Sequence, residues 1–166
     1  MTHSEVPAVF RVRSIGSRAS QPWLELVHVG IVVRNDAEAQ QARIRAQIGA
    51  RTYALMWATE AGPRTERTLR SDAVNNALVA IRSARGFGFN PWGQLSHPSI
   101  PLTQGTTYVA DGQLLVHQQV GPDWQLRAGR HRIAITVTWE RGQSSSQAFD
   151  LVIPPSTAIP VSLIEA

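Results

Sequence analysis

Five histidines could hold a metal ion or move a proton: His3, His28, His97, His117 and His131. No two stand at i, i+2 or i, i+4, the spacings that bring imidazoles to one face of a strand or helix. Pairing across strands, as of His117 with His131, stays open, but ordinary strand or surface histidines and no metal are the expectation. Carboxylates are few and scattered. Glu25, Asp72, Asp111, Asp123, Glu140 and Asp150 fall in turns or beside strands, and no two are placed by spacing for acid–base work. Ser144-Ser145-Ser146 follows Gly142-Gln143, which is not the sharp strand-to-helix turn of a serine nucleophile. It reads as the polar tip of a hairpin. The chain has no lysine, so no phosphate loop can be completed, and no cysteine, so thiolate chemistry, disulfides and Cys-based zinc sites are excluded.

The sharpest motif is Arg85-Gly86-Phe87-Gly88-Phe89-Asn90-Pro91-Trp92. Its first five residues match the RNP1 signature of RNA-recognition modules, in which alternate aromatics on a central strand stack on bases. The match then fails. Asn90 stands where an apolar residue should keep the strand buried, and Pro91 cannot sit in a central strand. The segment 83–99 is therefore expected to hold no central strand, with Phe87, Phe89 and Trp92 folding back as loop anchors. Five tryptophans are many for this length. Trp57 and Trp139 fit core positions by alternation, whereas Trp92 and Trp124 lie in Gly/Pro-rich loops, as lids or as anchors for a partner. Arg85, Phe87, Phe89, Trp92 and Trp124 are the candidate interaction residues; no catalytic, metal or cofactor residues are assigned, and no cofactor is expected.

The elements that must position these residues follow from composition and periodicity. A chain of 166 residues, 43% hydrophobic and 17% charged, suits one folded domain. No run of apolar residues is long enough for a membrane span, and the first residues lack a signal-peptide pattern. A cytoplasmic location is the expectation, with virion association as the other possibility. All sixteen basic residues are arginine and they are dispersed. The one dense group, Arg64, Arg67 and Arg70, is interleaved with Glu60 and Glu66 and reads as a solvated face.

Ile133, Ile135, Val137 and Trp139 alternate with Arg132, Ala134, Thr136 and Thr138, and after a Gly-containing loop a second alternating run uses Phe149, Leu151 and Ile153. This is an antiparallel hairpin and sets the class as all-β. Further strands are expected at Ala8–Ile15, at 23–34 (apolar on both faces, hence central), at 41–48 after a turn over 35–40, and through Tyr53, Leu55 and Trp57. Thr59 to Glu66 reads as a polar loop. Strands at 106–110 and 113–119 precede the final hairpin. Two segments are ambiguous: 36–48 and 71–84 each carry helix caps, and an α+β chain with helices there is the alternative. The predicted core is Val29, Ile31, Ile44, Trp57, Ile133, Ile135, Val137, Phe149 and Leu151, with Arg43, Arg45, Arg132 and Thr136 facing solvent.

In order, Val32-Val33-Arg34-Asn35, Ala42-Arg43-Ile44-Arg45-Ala46, Leu55-Met56-Trp57-Ala58 and Leu126 to Ile133 resemble the single-domain immunoglobulin-like β-sandwiches of uncharacterised bacterial and archaeal proteins. Those carry a V-x-N strand end, a strand ending in Trp, and L-x-x-G-x-x-x-I before the last hairpin. The resemblance covers about 23–153 and departs in lacking a cysteine pair. It implies a sandwich of about seven to nine antiparallel strands over 1–153 with one long irregular loop, and a tail over 154–166 that leaves the sheet through its prolines. The function expected is a non-enzymatic interaction or assembly module, an accessory subunit of a larger complex or virion, with a protein partner or self-association. The alternatives are single-stranded nucleic-acid binding through the 82–92 loop (Arg82, Arg85, Phe87, Phe89, Trp92), and a carbohydrate-binding or hydrolytic domain with loop-borne residues.

Overall fold

The computed structural model describes residues 8–15, 24–33, 38–71, 73–84, 88–89, 100–117 and 121–166. In chain order the strands are β1 (Ala8–Ile15), β2 (Leu24–Val33), β3 (Glu38–Ile48), β4 (Arg51–Ala54) and β5 (Met56–Thr59). Then come β6 (Gly62–Arg64), β7 (Arg67–Arg70), β8 (Asn75–Ser83), β9 (Gly88–Phe89), β10 (Ile100–Pro101) and β11 (Thr107–Val109). A helix, α1 (Gly112–His117), and a 3-10 turn at Pro122–Trp124 precede β12 (Gln125–Leu126), β13 (Gly129–Trp139), β14 (Gln143–Ile153) and β15 (Ser162–Glu165). Six strands run for eight residues or more and the rest are short pieces, which is why the number exceeds the seven to nine expected.

Two antiparallel sheets pack face to face. One runs β1-β2-β8, with β5 and β11 sharing the far edge of β8, β6 beyond β5 and β12 beyond β11; the other runs β15-β14-β13-β3-β4, with β7 also on β3. Every predicted core residue is buried, and Val29, Ile31, Trp57, Ile133, Ile135, Val137, Phe149 and Leu151 are fully enclosed. Arg43, Arg45 and Arg132 face solvent and Thr136 is half-buried. The period-two reading of β13 therefore has the right register. Among the described residues no helix is long and apolar enough to cross a membrane.

Both helix alternatives are overturned, since 38–48 and 75–83 are strands. Alternation wins over caps because Ala42, Ile44 and Ala46 must reach one core from one face, which a helix would spread around its circumference. β3 begins three residues before the expected position and absorbs a bulge between Ala39 and Ala42, with Gln41 at φ 54°.

Of the strand expected at 113–119, residues 113–117 belong instead to α1, and 118–119 lie outside the described residues. The Asp111 carboxylate accepts the Gln113 N–H at 2.7 Å as an N-cap, and Leu114 is fully buried. The same carboxylate accepts the Ala54 N–H at 3.0 Å, where the chain leaves one sheet for the other through buried Leu55. The strand expected through Tyr53, Leu55 and Trp57 is thus split, β4 serving one sheet and β5 the other. The loop expected at 59–66 is mostly a hairpin: Thr59 faces Gly62, and Pro63 is tolerated because β6 is an edge. Ser144–Ser146 lie within β14, opposite Thr138 to Thr136; the tip is Glu140–Gly142. The tail does leave the sheet after Ile153, but returns as β15 on the edge of β14, burying Val161 and Leu163.

Apolar residues on both faces of β2 and β8 have a direct cause. Val27, Val29, Ile31 and Val79 face the space between the sheets, whereas Leu26, Leu78 and Ile81 meet Met56, Leu102, Tyr108 and Leu114 in a second cluster. The inserted segment around α1 packs Leu102 and Leu114 on part of that sheet's outer face.

Candidate functional site

Among the described residues, none packs in this way over the outer face of the other sheet. The alternation that buries Ile133, Ile135 and Val137 turns Arg130, Arg132, Ala134, Thr136 and Thr138 outward, and the register sets their neighbours. Arg132 lies opposite Asp150, which lies opposite Ile164 on β15. Ala134 lies between Ala148 and Gln47, Thr136 between Ser146 and Arg45, and Thr138 between Ser144 and Arg43. The result is a floor of Ala, Ser and Thr, with Gln47 beside Ala134 and one arginine pair at each end. Thr136 and Ser146 share a hydrogen bond of 2.9 Å across it.

Asp150 fixes one pair. Arg132 Nε donates to it at 2.8 Å and Arg130 Nη1 at 3.1 Å. The Arg132 hydrogen bond, supported by the charges of both guanidinium groups and opposed by desolvation, holds the carboxyl below the usual carboxylate range. Arg43 at the other end donates through Nε to Glu66 at 2.7 Å. Arg45 is exposed and makes no ion pair among the described residues. Charge and donors are thus offered to an anion, and nothing on this floor supplies a nucleophile held by a base.

The residues singled out from the sequence fall elsewhere. Arg85, Phe87 and Trp92 lie outside the described residues. Gly88–Phe89 pair with Ile100–Pro101 in a two-stranded ribbon apart from both main sheets, which is not the central strand an RNP1 element requires. Trp124 is half-buried and packs against both clusters, its ring so close to Gly121 that a Cβ there would sit 3.2 Å from it. Arg82 is not a surface cation, since its side chain is 3% exposed and bonded to Glu25.

Several of the histidines and carboxylates are likewise held in structural contacts, and His117 ends α1. His131 Nε2 is 2.8 Å from the Arg127 carbonyl, and His28 is buried on β2. Asp111 caps backbone, and Asp123 pairs with Arg51 at 2.6 Å. Asp72, His3 and His97 lie outside the described residues, and among the described ones no three His, Asp or Glu side chains converge as a metal site would need. The arginine face was missed by the sequence reading. Arg43 with Arg45, and Arg130 with Arg132, share a face by spacing, but only the β3–β13 register joins the pairs. No family model, no curated protein and no solved structure matches this chain.

Proposed function

We propose that the protein is a non-enzymatic interaction or assembly module on an immunoglobulin-like sandwich, acting as an accessory subunit of a larger complex or virion. The strand order supports the fold part of this reading. In an immunoglobulin-like arrangement one sheet runs A-B-E-D and the other G-F-C-C′; here β1-β2-β8-β5 and β14-β13-β3-β4 occupy those places, with β15 added beyond β14 and a long insertion between β8 and β13. One observation carries the functional part: among the described residues, the chain's own insertion packs on the outer face of one sheet, while the other presents short side chains with an arginine pair at each end. Nucleic-acid binding through 82–92 is disfavoured, because burial of Arg82 removes a cation from it.

Size analysis of the native protein in extracts of its source, with a photo-cross-linking residue at Thr136, tests the reading. The protein is expected in particles well above its own 18.2 kDa, with adducts from Thr136 and none from Glu60, which lies on the β5–β6 hairpin. Migration as a free monomer with no adduct refutes it.

A further inference from the structure

We infer that the open face of the six-stranded sheet docks an acidic protein surface; this rests on the interaction reading above and adds the chemistry of the partner. Among the described residues, the four guanidinium groups of Arg43, Arg45, Arg130 and Arg132 are paired with two carboxylates, Asp150 and Glu66, so these six groups carry a surplus of two positive charges. Arg132 reaches Asp150 through Nε, so its terminal nitrogens are not used in that hydrogen bond, and its side chain is 67% exposed. Between the arginine pairs the side chains of Ala134, Thr136 and Ala148 are short, with exposed Gln47 beside Ala134. Ile164, 47% exposed beside Asp150, adds apolar contact at one side. An apolar-to-neutral centre with arginines around it is the composition of a protein interface.

Charge selects among partners. A second copy meeting this face about a two-fold axis would set one positive patch on another, and like charges facing each other work against association. Single-stranded nucleic acid needs aromatic platforms for its bases, and the outward positions of β13, β14 and β3 carry none. From β15 to β4 the floor is about 19 Å wide, and from Arg130 to Thr138 about 27 Å long. The resulting area, about 500 Å², is below the about 800 Å² per partner of a standard interface. The docking is therefore weak, fast and salt-sensitive.

The test uses the full chain with poly-L-glutamate as probe, poly-L-lysine and oligo-dT as comparators, and the Thr136 cross-linker in source extracts. Poly-L-glutamate is expected to bind at low salt and to weaken about tenfold in Arg45→Glu and in the double variant Arg45→Gln/Arg130→Gln. Arg64→Glu, an exposed arginine on the other sheet, should leave binding unchanged, and Ile164→Ser should lower adduct yield. Thermal melts confirm that each variant is folded, and the neutral double variant stands in if the charge reversal is not. Adducts from Thr136 that are indifferent to salt and to both arginine variants overturn the acidic partner while the interaction reading stands. Oligo-dT binding more tightly than poly-L-glutamate, and unaffected by Ile164→Ser, also overturns it in favour of nucleic acid. A monomer that yields no adduct removes the interaction reading itself.

Discussion

Arg82→Met should be among the most damaging substitutions in the protein, and should act first on the C-terminal strand. Arg82 on β8 and Glu25 on β2 form an ion pair with side chains 3% and 14% exposed. Arg82 also donates to the Pro154 carbonyl at 3.1 Å and the Ile159 carbonyl at 2.6 Å, while Glu25 accepts the Val161 N–H at 2.5 Å. The pair is thus a clamp that holds the returning tail on the sandwich. Removing one partner of a buried pair leaves the other charge desolvated and uncompensated, at a cost of about 3–5 kcal/mol. For a domain of this length that is a fall in Tm of about 6–20 °C. The double variant Glu25→Leu/Arg82→Met removes both charges, and should be less damaging than the sum of the singles by about 1–3 kcal/mol. Chemical denaturation gives the energies. Hydrogen exchange gives the location: the Leu163 amide and its β14 partners should lose protection before β13 does. A loss below about 1 kcal/mol in Arg82→Met, with Leu163 protection unchanged, would refute the clamp.

Ile135→Ala should cost about 2–5 kcal/mol by denaturant titration, because Ile135 is fully enclosed between the sheets; a change under 1 kcal/mol would mean the core has room to collapse. Gln41→Gly should raise stability by up to about 1 kcal/mol, since Gln41 sits at φ 54° in an exposed bulge where a side chain is strained and glycine is not. Asp150 should make acid stability depend on its arginines. Its folded carboxyl titrates below its unfolded value, so its stabilisation is complete above the ordinary carboxylate pKa of about 3.9 and is lost as pH falls through the lower folded value. Melts of wild type and Asp150→Asn should differ at neutral pH and converge as the pH drops below about 4; a gap that persists there, or an NMR titration of Asp150 in the ordinary range, would remove this role.

The parts of the fold legible in the sequence are those in which one period governs a long run. Arg132 to Trp139 repeats every second residue without exception, and the β13 register follows from it. β3 was legible for the same reason over Ala42 to Ile48, despite its helix formers and capping residues. The failures share a different cause. Nothing local in Gln113-Leu114-Leu115-Val116 distinguishes a short strand from a helical turn; the decision comes from Asp111, whose carboxylate caps Gln113 while bonding Ala54 far away in the chain. Nor could the prolines after Ile153 announce the return of β15, which depends on the Glu25–Arg82 clamp and on room for Leu163.

The candidate site was hidden for the same physical reason. Dispersal of arginines along a chain argues against a binding footprint only when the elements are helices or loops that keep sequence neighbours together. In an antiparallel sheet, residues two apart share a face and residues far apart in the chain become neighbours across the ladder. Arg45 and Thr136 stand opposite each other though ninety-one positions apart, and Arg132 and Asp150 are joined by a hairpin. Four of the sixteen arginines, Arg43, Arg45, Arg130 and Arg132, are scattered in the chain and share one face of the sheet. The loop with Phe87 and Phe89 drew the sequence reading because its aromatics are adjacent in the chain, the kind of signal a motif search rewards. A sheet face carries its signal in the register instead, and here the register sets two arginine pairs at the ends of one floor of short side chains.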